Sequence, residues 1–417
     1  MRYICDLHIH SKYSRATSQS LNFDELIKWS HYKGINLLAT GDFTHPFWMA
    51  EIKNHLEEDG SGFLVPRKSK DNLKFILSVE ISNIYQKAGK LRKIHTVVLA
   101  PNIKTAEKIN EKLSKYGKLD ADGRPIFGQD LYETAKIIWS INSEIVLIPA
   151  HIWTPWFSLF GANSGFDSIE ECFGDLSERI FALETGLSSD PLMNWQISKL
   201  DRFSLVSNSD AHSAQKLGRE ANVFDVADEL NFAELMRILK EKDNKKFIST
   251  IEFYPQEGKY HFDGHRNCGI VFSPEETKKH KGKCPKCGKP LTIGVMNRVD
   301  NFTDREKKFI PKDAPKIKYI IPLMEVISDV INSGVSSKAV SDIYFDLINN
   351  FNNEFKVLLS ISQGDLEKVT TSNIAQAIIN VREGKVNIQP GYDGEFGKIS
   401  VDKTEIKKSE DKQESLF

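Results

Sequence analysis

Cysteine is scarce in this chain: five residues in 417, three of them between positions 268 and 287. That scarcity excludes a disulfide framework and points to a reducing compartment. No apolar run reaches the roughly 18 residues of a membrane span, and the first residues show no charged-then-apolar leader. These absences predict a cytoplasmic chain with no membrane partner. Excess charge of either sign is missing too, with a net of −1. A polyanionic partner would therefore be held by local basic patches and not by the field of the whole molecule. The phosphate loops GxGxxG and GxxxxGK[ST] do not occur, which removes the commonest nucleotide-binding folds. No internal repeat and no long low-complexity tract is found.

What is present is an alternation of short β-rich runs and amphipathic stretches from Arg2 to about Phe253. The runs are "RYICDLHI", "INLLAT", "LKFILSVEI", "IHTVVLA", "EIVLIPAHI", "RIFALET" and "FSLVSNSD". About seven strands alternating with helices over residues 1–255 predict an α/β barrel and not an open doubly wound sheet. Between two of the runs, "NFDELIKWSHYK" reads as a helix, with Asn22 as N-cap, Glu25 three residues on and Gly34 as the stop. Residues 256–312 lose helical periodicity and are rich in cysteine, glycine and lysine. Residues 313–395 read as a small all-α domain. Residues 396–417 are charged and nearly free of apolar side chains, which predicts a disordered tail.

"ICDLHIHSKYS", at residues 4–14, poses the functional question. Read as a strand, it places His8 and His10 on one face, about 7 Å apart, a separation that suits one metal ion or two neighbouring ones. Other candidates recur along the chain. "ATGDFTHP" carries Asp42 and His45, "SVEIS" Glu80, "KIHTVV" His95, "IPAHIWTPW" His151, and "SNSDAHS" Asp210 and His212. Five of these six loci fall at C-terminal strand ends, which converge on one mouth in an α/β barrel. Scattered structural histidines have no reason to choose that position repeatedly. Imidazoles and carboxylates together suit divalent metals such as Zn, Mg or Mn, and this many ligands can hold two or three ions. His95 opens its apolar run where the others close theirs. Either its strand runs against its neighbours or its boundary lies elsewhere.

A second cluster follows. "GHRNCG" and "CPKCG" supply His265, Cys268, Cys284 and Cys287, two x2-spaced pairs fifteen residues apart, each beside a glycine. Two tight turns can present four such ligands to one tetrahedral ion, so this module is expected to be a ribbon holding one structural zinc. Residues 278–289 hold six lysines and no acid. Lys279, Lys281 and Lys283 are therefore candidates for phosphate contacts on nucleic acid. Beside the first cluster, Trp153 and Trp156 are candidates for stacking on an extruded base, or for packing their own loop.

The motifs "HIHS", "VEI", "IHTV", "PAH" and "SDAH" resemble those of the polymerase and histidinol phosphatase (PHP) family of metal-dependent phosphoesterases. The resemblance covers roughly residues 1–250. It implies a distorted seven-stranded barrel binding up to three metals through His8, His10, Glu80, His95, His151, Asp210 and His212. Among these, Glu80, His151, Asp210 and His212 carry the catalytic expectation. The family's acid or histidine shortly after the first pair is missing from "SKYSRATS". Its Thr-Asp-His element is stretched to "TGDFTH", so either Asp42 or His45 fills that ligand position. Barrel, cysteine module, helices and "REGKVNIQPGYDGEFGKI" together are similar to a DNA-repair branch of the family. That similarity implies nicking of double-stranded DNA 5′ to deaminated bases (uracil, hypoxanthine, xanthine) and abasic sites, with the helical domain helping to grip DNA. A phosphatase acting on a small phosphate monoester and a non-catalytic DNA-binding scaffold remain open. Finally, Gln413, Leu416 and Phe417 in "QESLF" resemble the Gln-x-x-Leu-Phe peptide that binds sliding clamps of the bacterial type.

Overall fold

Each of the seven β-rich runs forms a strand: Arg2–Asp6, Leu37–Ala39, Lys74–Lys87, Lys90–Ala100, Val146–Pro149, Ala182–Glu184 and Ser204–Val206. The structure, a computed structural model, describes residues 1–68 and 72–402. Gln413, Leu416 and Phe417 lie outside the described residues.

The architecture is mixed α/β. Arg2–Asp6 pairs parallel with Leu37–Ala39, which pairs parallel with Lys74–Lys87. Lys90–Ala100 is antiparallel both to Lys74–Lys87 and to Val146–Pro149, which settles the His95 question: its strand runs against its neighbours. Ala182–Glu184 and Ser204–Val206 pair parallel as a separate two-stranded sheet. Their links to the rest include the Ile152 N–H to the Glu184 carbonyl (3.1 Å) and, beyond Val206, a bridge between Ile9 and Ala211. On the far edge Ala221–Asp225 runs antiparallel to Arg2–Asp6 and Phe247–Glu252 follows it. The first ten residues of Lys74–Lys87 are all buried, as expected of a strand covered on both faces.

Helix boundaries follow local signals. In Phe23–Lys33 the Asn22 side chain accepts from the Glu25 N–H at 3.1 Å, and Gly34 closes the helix at φ 91°.

Two strand boundaries differ from expectation. The first strand ends at Asp6, so His8 and His10 stand on the loop beyond it and not within it. The strand carrying Glu80 runs on to Lys87, because the chain there continues as a long hairpin with Lys90–Ala100.

The chain divides into two units, Met1–Lys318 with Gln389–Lys398, and Tyr319–Ile388 with residues 399–402 of the described part. Residues 256–312 thus belong to the first unit. Arg298 ties them to it, donating from Nε to the Phe160 carbonyl (2.9 Å) and from Nη2 to the Phe166 carbonyl (3.0 Å). Two short helices, Pro274–Lys279 and Val295–Asp300, lie where no helical periodicity was expected. Six residues are too few to show a period, but the first carries a capping box between Ser273 and Glu276 and proline at its start. Gln389–Lys398 also returns to the first unit, where Asp393 accepts from Thr292 Oγ1 and from the Arg266 N–H.

The second unit is mainly helical: Leu323–Ile331, Lys338–Phe351, Glu354–Leu359, Gln363–Leu366 and Ser372–Arg382. Residues 313–395 are not all-α, since they include the strands Lys316–Tyr319 and Val386–Gln389, and the expected disordered tail begins with a strand, Lys398–Val401, that pairs with Val386–Gln389. Its core includes Leu323, Val340, Tyr344, Leu347, Leu358, Ile374 and Ile378. Buried Glu354 joins two of these helices, accepting from the Leu323 N–H (3.0 Å) and the Tyr344 hydroxyl (2.9 Å). Among the described residues no helix is long and apolar enough to cross a membrane.

Candidate metal centre

The loop after Arg2–Asp6 and the loop after Ser204–Val206 are zipped together. The Asp210 N–H donates to the His8 carbonyl (2.9 Å), and the His10 N–H donates to the Ala211 carbonyl (3.1 Å). Behind them Asp6, fully buried, accepts from the Ser209 N–H (3.0 Å) and the Gly218 N–H (3.0 Å). This backbone lacing brings His8, His10 and Asp210 together, with their ligand atoms all within 4.8 Å of one another. A second triad, Glu80, His95 and His151, meets the same criterion. Glu80 reaches both: Oε1 lies 2.7 Å from His95 Nδ1 and 3.0 Å from His151 Nε2, while Oε2 lies 3.4 Å from His10 Nε2.

What stands behind the imidazoles decides which nitrogen faces the centre. His8 Nδ1 donates to the Glu184 carboxylate at 3.0 Å, and His10 Nδ1 points to Asp42 Oδ1 at 3.1 Å. A carboxylate only accepts, so the proton sits on Nδ1 and the Nε2 lone pair faces inward, the arrangement of a metal-ligating histidine. His8 Nε2, His10 Nε2 and Asp210 Oδ1 are buried and make no hydrogen bond among the described residues, although His10 Nε2 and Asp210 Oδ1 are only 3.1 Å apart. Orphaned donor atoms crowded this closely fit a shared cation.

The electrostatics agree. Burial alone would lower the pKa of His8 and His10. Glu184, Glu80 and Asp210 around the first, and Asp210, Asp42 and Glu80 around the second, raise both well above the ordinary imidazole value. Protons are drawn in where cations would sit. Burial also opposes ionisation of Glu80, yet His95, Arg124, His10 and His151 hold its carboxyl well below the usual range. Asp210 is held down in the same way by His10 and His8. His95, by contrast, is pushed down to about 4, burial outweighing the pull of Glu80.

The backbone is strained at three site residues, with φ of 47° at Asp42, 33° at His151 and 47° at Asp210. Such conformations cost about 1–3 kcal/mol each and persist where the surroundings over-determine them. At His151 the neighbour is Gly186, where a Cβ would lie 2.4 Å from the His151 Cβ. Only glycine lets the two loops approach.

Asp42 and His45, the two alternatives for one ligand position, are separated by the structure. Both Asp42 oxygens are occupied: Oδ1 faces His10, and Oδ2 accepts from the Ser11 N–H (2.7 Å), the Ser11 hydroxyl (2.6 Å) and the Ser14 hydroxyl (2.8 Å). Asp42 therefore orients His10. His45 stands outside both triads, stacked on Tyr13 at 4.3 Å, with a buried Nδ1 that has no partner among the described residues. His212 packs on His10 at 4.7 Å, its Nδ1 donating to the Asp210 carbonyl at 2.8 Å. Its Nε2 is left as an acceptor beside the centre.

Sequence reasoning missed Glu184, Arg124, Ser11 and Ser14. Glu184 closes its strand in "ALETG", so the strand-end rule applied to the histidines would have found it. Arg124 and the serines carry no comparable signal.

At the second cluster His265, Cys268, Cys284 and Cys287 bring four donors within 4.8 Å of one another. Gly269 and Gly288, both at positive φ (60° and 72°), follow the second member of each pair. Burial acts against the Cys284 thiolate, but the backbone N–H groups of Cys287 and Lys286 bring its pKa down to about 6. Two soft turns with thiol and imidazole donors fit a closed tetrahedral site. Lys279, Lys281 and Lys283 are exposed beside it.

The two tryptophans part company. Trp153 is 1% exposed, its Nε1 donating to Asn194 Oδ1 (2.8 Å) and its ring wedged between Phe160 and Phe302. It offers no face to a base and packs the loop, because the chain folds back over it. Trp156 is 40% exposed. So is Phe47, at 64%, on the rim near Tyr13.

A family profile described as "MJ0043 C-terminal domain" matches residues 322–385. The uncharacterized protein MJ0043 of Methanocaldococcus jannaschii is 37% identical over 254 residues, which cover 60% of this chain but only 31% of that protein's length. The uncharacterized protein YqxK of Bacillus subtilis is 31% identical over 94% of this chain and 98% of its own. Among solved structures, the lesion-specific endonuclease PfuEndoQ from Pyrococcus furiosus is 32% identical, with 96% of each chain covered and a TM-score of 0.84. Endonuclease Q in complex with a 27-mer duplex substrate, an abasic lesion at its active site, is 31% identical over 98% of each chain, with a TM-score of 0.85.

The chain belongs to the endonuclease Q family. It is an endonuclease, and the donor set of its first unit suits divalent metals. In this endonuclease Q family member Glu80 links the two triads, and Glu184 and Asp42 orient His8 and His10 from behind.

Proposed function

We propose that this chain nicks double-stranded DNA by hydrolysing the phosphodiester 5′ to abasic sites and deaminated bases, with two or three divalent cations at the bridged triads. The observation that carries this reading is the pair of triads sharing Glu80, in a chain similar throughout its length to an endonuclease Q with a lesion duplex bound. His8, His10 and Asp210 would hold one cation, and Glu80, His95 and His151 another. Divalent cations at such a site acidify water and take up charge on the phosphate and leaving oxygen.

The chain's own residues do the rest. Glu184 and Asp42 keep the Nε2 lone pairs of His8 and His10 pointed inward. Asp210, ionised and the most accessible of the acids, orients the attacking water. His212 Nε2 accepts a proton at the rim. A weakened or missing pair makes the lesion nucleotide cheaper to extrude, and the exposed rings of Trp156 and Phe47 would stack on what is extruded.

The cysteine module holds one structural zinc and, through Lys279, Lys281 and Lys283, contacts DNA phosphates; the helical unit also contributes to the grip on DNA. Gln413, Leu416 and Phe417 dock on a sliding clamp of the bacterial type.

The test uses labelled duplexes carrying an abasic site, uracil, hypoxanthine or xanthine, an undamaged duplex and p-nitrophenyl phosphate. The expected result is a cut 5′ to the lesion and little turnover of the other two. Asp210→Asn should fold and bind DNA while nicking falls at least about 10²-fold. Efficient hydrolysis of the monoester with lesion DNA left whole would favour the phosphatase reading instead.

A further inference from the structure

Arg124 stands in the metal centre with no assigned role. Its Nη1 donates to Glu80 Oε2 at 2.8 Å, the oxygen that also faces His10. The loop that delivers it is locked on both sides. Before it, Gly123 lies so close to the site that a Cβ would fall 2.2 Å from Asp42 Oδ2 and 2.4 Å from Ser14 Oγ. The Gly123 N–H donates to the Tyr13 carbonyl (3.0 Å), and Asp122 Oδ1 accepts from the Arg124 N–H (3.1 Å). After it, the Pro125 carbonyl accepts from Ser82 N–H (3.0 Å), two residues along the strand from Glu80. A loop packed this tightly against ligands is a costly way to neutralise one carboxylate.

The guanidinium is mostly enclosed, with its side chain 24% exposed. It carries five donors in a planar fork, and its bond to Glu80 engages Nη1. Glu80 would be among the ligands of divalent cations held at the triads, and its carboxylate would then bind the guanidinium less strongly, which would free Arg124 for another anion. The group it would meet at this mouth is the phosphate lying on the same cations, and arginine is the side chain best shaped to grip one.

We propose that Arg124 binds the scissile phosphodiester, exchanging Glu80 for a non-bridging phosphate oxygen when the centre is loaded. The inference rests on the nuclease reading above.

The experiment compares wild type, Arg124→Ala and Arg124→Lys as full chains. Manganese affinity is measured by calorimetry and manganese content by elemental analysis; kcat and KM are measured on an abasic duplex, with and without added guanidinium. Arg124→Ala should bind manganese at least as tightly as wild type, because a competitor for Glu80 is gone. Its kcat should fall at least about 10²-fold, the scale of losing one transition-state donor, with partial rescue by guanidinium. Near wild-type turnover at full metal content, or a loss of activity matched by a loss of manganese, would overturn the proposal. If the alanine variant does not fold, Arg124→Lys decides: retained metal with kcat down at least tenfold supports the role, and unchanged kcat refutes it. A wild-type protein that leaves lesion duplex whole would instead sink the nuclease reading.

Discussion

His8 and His10 act as one unit with the side chains behind them. An imidazole is a ligand only if its lone pair faces the ion, and Glu184 and Asp42 arrange that by taking the Nδ1 protons. Elsewhere in the core Glu220 and Glu252 are both fully buried, and burial holds both carboxyls above the ordinary range, helped by the charge of Glu252 at the first and of Asp190 at the second. Below about pH 4.3, the usual glutamate value, these groups are protonated whether the chain is folded or not, and their contribution to stability is fully present. As pH rises the unfolded chain ionises while the folded core resists, so stability is lost until the raised folded pKa is passed. Glu252→Gln keeps an acceptor for the Ser207 hydroxyl and removes one titration. Urea unfolding of the variant should show a flatter decline from about pH 5 upward, and an unchanged decline would place the pH dependence elsewhere. The tryptophans give a second expectation. Trp153→Ala should cost about 3–5 kcal/mol of stability, as for a buried aromatic truncated in a core. Trp156→Ala should leave the melting temperature within a few degrees and weaken lesion discrimination by about 1–3 kcal/mol. Discrimination lost only with Trp153 would reverse that assignment.

The elements show why the ligands meet. Strand ends deliver His151, Glu184 and Asp210, while Glu80 and His95 come from the middle of a long antiparallel hairpin. Alternation of apolar residues marks a strand but not its direction, so the reversed His95 strand was visible in the sequence only as an anomaly. The cysteine module was more legible, because fifteen residues between two x2 pairs is a local pattern that needs no knowledge of the fold. Cys284→Ser should release about one zinc per chain and locally unfold residues 263–292, since metal binding there is folding free energy. Elemental analysis and hydrogen exchange would check this, and full protection without zinc would refute it. Replacing Lys279, Lys281 and Lys283 with alanine should keep the zinc and flatten the salt dependence of DNA binding. An unchanged slope would move the phosphate contact to another surface.

For the molecule as a whole, deleting Gln413–Phe417 should leave nicking of a short lesion oligonucleotide unchanged and abolish binding to a purified bacterial clamp, read by calorimetry; equal clamp affinity for both forms would refute the docking motif. The sequence by itself determined the seven strands, the caps of Phe23–Lys33, the helices of the second unit, the four clustered cysteine and histidine donors and most of the imidazoles and acids of the centre. All of these are written in local periodicity or short spacing. Only the tertiary structure decided that Asp42 positions a histidine, that His45 stands aside, that Trp153 is buried, and that Glu184 and Arg124 belong to the site. It also decided that Gln389–Lys398 folds back onto the first unit. The reason is physical. Residue type and spacing record what a side chain can bond to, whereas its actual partner depends on which distant loops the backbone laces together, as the hydrogen bonds between residues 8–10 and 210–211 do here.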